Sequence, residues 1–298
     1  MSIPFNRELD FEYGQVDQLS PLIRRVVAKN SGPFTLHGTG TYIIGSGDVA
    51  IIDPGPFDRD HIKAVMAAVE GETITHLLIT HTHNDHSPGC AIIHESVAVP
   101  TYGYGPHGAG KLEQGVQVEE GGDMAFSPDI EVKHGDVING NGWTIDCLYT
   151  PGHTSNHVCY ALREERALFT GDHVMGWSTT IISPPDGDMA EYMASLDLLL
   201  ERDDEIYWPT HGPAIKNVHD YVRAYISHRH DREAQILSCV DDGVHSIVKM
   251  VPIMYAGLPS QMYPAAARSV FAAVIYMVER GVLTTDSGLS VDANYARA

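Results

Sequence analysis

The chain reads as an α/β protein in which a sheet presents polar residues at its strand ends, followed by a helical C-terminal unit. Three observations predict this. Apolar runs flank a helix-periodic segment between residues 41 and 80, the strand, helix, strand order that makes a right-handed crossover to a parallel neighbour. Five short runs stop near Asp53, His81, His153, Asp172 and His211, so each hands a metal-type side chain to the following loop, at the carboxyl ends where open α/β sheets build their sites. From about residue 213 the strand pattern gives way to helix-length segments.

In chain order, residues 21–27 read as an edge strand. Residues 41–45 and 49–53 are apolar runs separated by Ser46-Gly47-Asp48, a hairpin closed by Asp53 and the breakers Pro54-Gly55-Pro56. Asp58 can cap a helix to about residue 69, with Ile62, Val65, Met66 and Val69 on one face and Gly71 ending it. Residues 76–80 form the next strand, and a helix restarts at Ser87-Pro88 and runs through His94. Residues 100–128 are rich in Gly and Pro without helical period and read as a loop over the site.

Residues 143–149 alternate as a half-buried strand that stops at Thr150-Pro151-Gly152-His153. Runs at 167–169 and 205–208 end at Thr170-Gly171-Asp172 and at Pro209-Thr210-His211-Gly212. Between them Asp188 and Glu191 have capping-box spacing, followed by Tyr192, Met193, Leu196 and Leu199 on one helical face. Helices are expected over 222–239, 244–255 and 265–281. The chain therefore divides into residues 1–212 and a helical unit, 213–298.

Charge supports that division and narrows the partners. The formal net charge is −20, yet residues 213–298 balance their acidic and basic side chains, so the whole excess falls on 1–212. Such a charge opposes long-range attraction of polyanions. Cys90, Cys147, Cys159 and Cys239 are widely spaced without a C-x-x-C pair, so neither a disulfide scaffold nor a zinc knuckle is indicated and buried reduced thiols are expected. No basic start precedes an apolar stretch in residues 1–10, and no apolar segment is long enough to span a bilayer. A cytoplasmic protein without a membrane partner is expected.

The chemistry is concentrated in His81-Thr82-His83-Asn84-Asp85-His86, directly after Leu77-Leu78-Ile79. Imidazole and carboxylate suit zinc and other divalent first-row ions, and the alternation followed by an adjacent Asp-His pair suggests two diverging ligand sets. A purely structural zinc would be closed by four ligands, often cysteines.

The pattern H-x-H-x-D-H at His81, His83, Asp85 and His86, with the later pieces in order, resembles the metallo-β-lactamase superfamily over roughly residues 38–212. The resemblance implies a four-layer αββα sandwich. It further implies two divalent metal ions, zinc first and manganese or iron as alternatives, with His81, His83 and His153 holding one, Asp85, His86 and His211 the other, and Asp172 bridging. The chemistry implied is hydrolysis by a hydroxide shared between the ions, because metals lower the pKa of bound water from ~15.7 towards ~7. Asp85 orients the water or relays its proton, Asp53 supports the site, and His157 is a candidate hydrogen-bond donor to substrate or a buried support. These three are the candidate catalytic residues.

A closer resemblance is to the β-lactamase-like endoribonuclease branch, carried by Gly152-His-Thr-Ser-Asn-His157, residues 171–176 with Thr179-Thr180, and residues 225–236. It implies a winged-helix-like C-terminal unit and cleavage of single-stranded RNA. The third C-terminal helix, however, offers mainly Arg268 and Arg280, so packing or dimerisation suits the unit better than reading DNA. His173 is expected to be structural. His228, Arg229 and Arg232 could meet a phosphate or a neighbouring helix, with packing favoured.

Three readings follow: a metal-dependent RNA phosphodiesterase, a thioesterase or lactonase similar to hydroxyacylglutathione hydrolases, and a metal-bound interaction scaffold without activity. By family pattern, true β-lactamases tend to replace the bridging carboxylate, so Asp172 disfavours antibiotic hydrolysis. A homodimer is compatible with the sequence.

Overall fold

Strand alternation decides the layers. In the computed structural model, which describes residues 3–108 and 121–298, the first sheet contains seven strands. They are β1 (Val16–Gln18), β2 (Ile23–Val27), β3 (Gly40–Ser46), β4 (Asp48–Ile52), β5 (Thr73–Leu78), β6 (Thr101–Gly103) and β7 (Ile130–Glu131), in that spatial order. The first four pair antiparallel, and β4 to β7 pair parallel. Helix α1 (Arg59–Ala68) makes the crossover from β4 to β5, and α2 (Gly89–His94) the crossover from β5 to β6. Asp58 caps α1, its side chain accepting from the backbone N–H of Asp60 and His61.

The second sheet contains β8 (Val137–Asn139), β9 (Thr144–Tyr149), β10 (Val158–Leu162), β11 (Ala167–Gly171) and β12 (Ile206–Pro209). It is antiparallel except for β11 and β12, which run parallel across α3 (Met189–Leu200).

Successive side chains on a strand face opposite sides. Tyr42, Ile44, Ala50 and Ile52 of the first sheet meet Ile145, Cys147, Tyr160, Leu162 and Phe169 of the second in one buried cluster. The alternate residues Ile43, Val49, Ile51 and Leu77 pack outward with Ile62, Val65, Ile92 and Ile93 of α1 and α2. On the far side Leu148, Cys159, Ala161, Leu168 and Tyr207 pack against α3. Helices, sheet, sheet and helices are therefore the four layers, as expected.

The chain continues in α4 (Val218–Asp241), α5 (Ile247–Met254) and α6 (Tyr263–Glu279), then a small antiparallel ladder of β13 (Leu283–Thr284) and β14 (Ala296–Arg297). The three helices share one continuous apolar cluster with α3 and the outer face of the second sheet. All four cysteines are buried and free, and no helix among the described residues is long and apolar enough to cross a membrane.

Two expectations need correction. The strand at 21–27 is not an edge, because β1 pairs outside it; β1 spans only three residues, two of them exposed, and shows no apolar alternation. The 100–128 stretch is not wholly a loop, since β6 extends the parallel ladder there. Residues 109–120 of that stretch lie outside the described residues.

Candidate metal centre

The centre lies where strands of both sheets end. Asp53 follows β4, the His81 to His86 loop follows β5, His153 follows β9, Asp172 follows β11 and His211 follows β12. Two glycines permit the close approach of these loops. A side chain on Gly152 (φ +131) would fall 2.4 Å from Tyr192 Cα, and one on Gly171 (φ +51) would fall 2.6 Å from His157 Nε2.

Three sets of candidate ligand atoms each lie within 4.8 Å of one another: His81, His83 and His153; His81, His86 and Asp172; and Asp85, His86 and His211. Asp172 sits between them, its Oδ2 lying 3.5 Å from His211 Nε2, 3.6 Å from His86 Nε2 and 3.9 Å from His153 Nε2. Asp85 Oδ2 is 3.1 Å from His211 Nε2 and accepts from Thr39 Oγ1 at 3.3 Å.

Whether these groups fit a metal is decided by the far side of each ring. His86 Nδ1 donates to Asp53 Oδ2 at 2.8 Å, His153 Nδ1 to the Ile181 carbonyl at 2.7 Å and His211 Nδ1 to the Gly38 carbonyl at 3.1 Å. Thr80 Oγ1 donates to Asp53 Oδ2, so at 3.1 Å it accepts from His81 Nδ1. Four rings therefore direct Nδ1–H outward and turn Nε2 inward, the arrangement that orients histidine ligands. His83 Nδ1 faces His81 Nε2 at 3.0 Å, two imidazole nitrogens converging on one point. Asp172 Oδ1 and His86 Nε2 are buried without hydrogen-bond partners. The donor set fits divalent cations.

Electrostatics agree. Burial pushes His81 and His83 well below the ordinary imidazole pKa and keeps them neutral donors. Burial also opposes charge on His211, but Asp172 and Asp85 outweigh it and raise the group to about 10. In Asp85 burial opposes the anion, yet His86 and His211 bring its pKa down to about 2. The carboxylates thus create a field that stabilises positive charge.

Asp53 is surrounded by donors. Thr80 N–H reaches Oδ1 at 2.8 Å, while Thr80 Oγ1, Thr210 Oγ1 and His86 Nδ1 reach Oδ2 at 2.7, 3.0 and 2.8 Å. Its backbone is left-handed (φ 47), held by Asp53 N–H to the Leu78 carbonyl and Thr41 Oγ1 to the Asp53 carbonyl. Each of these partners is a protein group beside the candidate ligands.

His157 is buried, and both of its ring nitrogens meet protein groups. The Asp172 N–H donates to its Nε2 at 3.3 Å, so Nδ1 carries the proton towards Thr150 Oγ1 at 2.9 Å, and the ring stacks on His81 at 5.2 Å. It steadies two ligands from behind. His173 is also buried, and burial pushes its pKa down to about 3.

Thr80, Thr210, Thr39 and the Gly38 and Ile181 carbonyls were not singled out from sequence. A signal existed for two of them: Thr80-His81 and Thr210-His211 repeat the same dipeptide after strands of different sheets. Two described residues close to this region also approach the site, with Thr82 Oγ1 and His107 Nδ1 2.9 Å apart and His83 bridged to Gly122. Asn156 Nδ2 ties this corner together, donating to Thr82 Oγ1 and to the Gly105 and Pro106 carbonyls.

Comparison with known proteins places this geometry. A profile described as the metallo-beta-lactamase superfamily matches residues 35–211. The chain is 31% identical over 280 residues to the beta-lactamase-like protein 2 homolog of Caenorhabditis elegans, covering 90% of this chain and 88% of that one. It is 28% identical over 272 residues to a lactamase-like protein of Aspergillus niger, covering 84% and 78%. It is 32% identical over 231 residues to the atrochrysone carboxyl ACP thioesterase of Pseudocercospora fijiensis, covering 76% of this chain and 62% of that protein. In fold it is similar to a metallo-beta-lactamase family protein of Thermus thermophilus (TM-score 0.76, 18% identity, 94% and 100% covered). It is also similar to a beta-lactamase domain protein of Burkholderia ambifaria (TM-score 0.78, 17% identity, 96% and 94% covered). The profile spans all the loops that converge on Asp172, and the Caenorhabditis elegans relative aligns over 90% of the chain: the chain belongs to the metallo-β-lactamase superfamily and is a hydrolase of that superfamily.

Proposed function

We propose that this chain hydrolyses acyl thioesters with two divalent ions, zinc first, held by His81, His83 and His153 and by Asp85, His86 and His211 with Asp172 shared. The observation that carries the hydrolytic reading is Asp172 Oδ2, within 3.5 to 3.9 Å of imidazole nitrogens from both sets. An imidazole-rich donor set suits zinc, with manganese and iron as alternatives. When bound, such ions supply Lewis acidity and bring the pKa of water within reach of neutrality.

The chain's own groups do the rest. The imidazoles and Asp172 would hold the ions on which the acyl carbonyl and the attacking water are oriented. Asp85, braced by Thr39, takes the proton from that water as its oxygen bonds to the acyl carbon, and the carbon–sulfur bond breaks. The proton passes to the departing sulfur, leaving a carboxylic acid and a thiol.

Two observations support thioesters as the substrate class. A relative 32% identical over 231 residues is named an acyl carrier protein thioesterase, although the alignment spans only 62% of it. The C-terminal arginines are also occupied: Arg223, Arg280 and Arg297 pair with Asp220, Glu233 and Asp241. Arg229 is buried, Arg232 packs on Tyr255 and Arg268 donates to the Pro184 carbonyl. A polyanion would have to displace those partners.

A second reading, cleavage of single-stranded RNA with the C-terminal unit as a winged-helix-like module, rests on the resemblance carried by residues 152–157, 171–176 and 225–236.

The test is zinc-loaded protein and Asp172→Ala prepared identically, assayed for thiol release from acyl-pantetheine thioesters and for cleavage of end-labelled RNA. Thioester turnover that falls by about a thousandfold in the variant is expected, ~4 kcal/mol of lost transition-state stabilisation. RNA cleavage abolished by the same substitution, without thioester turnover, would replace the first reading by the second.

A further inference from the structure

We propose that Arg229 is a positioning residue for the metal centre, reaching from α4 to hold the segment that fixes both Asp172 and His153. Its guanidinium Nη2 donates to the Thr180 carbonyl at 2.6 Å. Thr180 in turn directs Oγ1 to the carbonyls of Asp172 at 2.7 Å and His173 at 2.9 Å. The next residue, Ile181, offers the carbonyl that receives His153 Nδ1 at 2.7 Å. One short segment therefore ties the backbone of the shared carboxylate to the outward proton of a histidine ligand, and Arg229 pins that segment.

Packing alone does not explain an arginine here. Arg229 is 6% exposed, and among the described residues no carboxylate lies within ion-pair distance of it. Its Nε is buried without a hydrogen-bond partner. A buried cation without a counter-ion is costly, and an apolar residue of similar volume would satisfy packing at lower cost. What the guanidinium adds is directional donation. It lies 4.9 Å over the Tyr192 ring, and Tyr192 Oη donates to the His173 carbonyl at 2.8 Å, so ring and guanidinium brace the Asp172-His173 turn together.

Arg232, one turn along α4, supplies the contrast. It donates to the Met254 carbonyl and Gln235 and stacks on Tyr255 at 4.2 Å, all within the C-terminal helices and the loop that follows α5. Among the described residues, none of these contacts leads to the ligands. The same helix thus carries one arginine that packs and one that reaches the centre. The inference depends on the metal site and not on the substrate, so it stands or falls apart from the thioester reading.

The experiment is cobalt substitution of the full-length protein, with retention of cobalt against a chelator and the visible ligand-field spectrum as readouts beside thermal stability. Arg229→Met is expected to weaken retention by about tenfold or more and to alter the spectrum, as loss of a ligand's outer support does. Arg229→Lys, which keeps one donor, is expected to recover most of both. Arg232→Met is expected to leave spectrum and retention at wild-type values, whatever stability it costs. Should Arg229→Met fail to fold, Thr180→Val removes the hydroxyl that reaches Asp172 and is expected to shift the spectrum alone. A wild-type spectrum and retention in Arg229→Met or Thr180→Val would overturn the proposal, as would equal changes in Arg232→Met.

Discussion

Asp53 is the residue on which the two halves of the centre meet, because donors from the segment just after β5, the His86 loop and the residue just after β12 all stop on its carboxylate. Asp53→Asn keeps the volume but turns one oxygen into a donor facing donors. We expect it to weaken metal retention at the Asp85, His86 and His211 set by about 10–100-fold, measured as metal-to-protein ratio after dialysis. Retention at the wild-type ratio would remove Asp53 from the supporting role. A separate residue sets an acid limit. Burial pushes the His61 pKa from 6.5 down to about 4, and its Nε2 meets Thr41 Oγ1 at 2.8 Å. The unfolded chain binds this proton first, so the contribution is complete above the ordinary value and declines as pH falls from about 6.5 to about 4, by up to ~3 kcal/mol. Urea titrations across that window should be flatter for His61→Asn, and an unchanged slope would exclude the residue. Little of this was legible in sequence. The His81 to His86 cluster shows itself because its members are neighbours, whereas the Gly38 and Ile181 carbonyls serve rings far away in the chain.

Elements with their own periodicity or caps were legible, and elements defined by neighbours were not. The α3 start was readable from Asp188, whose side chain accepts from Glu191 N–H at 3.0 Å. Only half of a capping box forms, since the Asp188 N–H goes to the Gly152 carbonyl at 2.9 Å instead. That bond joins the helix to the loop presenting His153. Asp188→Ala should therefore lower stability by about 1 kcal/mol in urea titration, the ordinary loss of an N-cap, while Asp188→Asn should recover most of it. By contrast β1 and β6 are three residues each. Nothing in such short runs distinguishes a strand from a turn, and partners in the sheet decide the matter.

At the scale of the whole molecule, the C-terminal helices share a core with the outer face of the second sheet. Leu168 and Tyr207 of the second sheet lie in the same apolar cluster as Met250, Val270, Val274 and Met277 of α5 and α6. Charge balance and helical pattern separated the units in sequence, but periodicity cannot reveal which apolar face covers which. Expressed alone, residues 1–212 are expected to aggregate or bind a hydrophobic dye; a soluble monomer with native circular dichroism would show that the cover is dispensable. The spread of the ligands has a consequence for biosynthesis. His81, His83, Asp85 and His86 leave the ribosome well before Asp172 and His211, and the two sheets must dock before those last groups meet them. A nascent chain halted between His86 and Asp172 presents imidazoles without the shared carboxylate. Assembly of the complete candidate centre is then a late event, possible only after synthesis has passed β12.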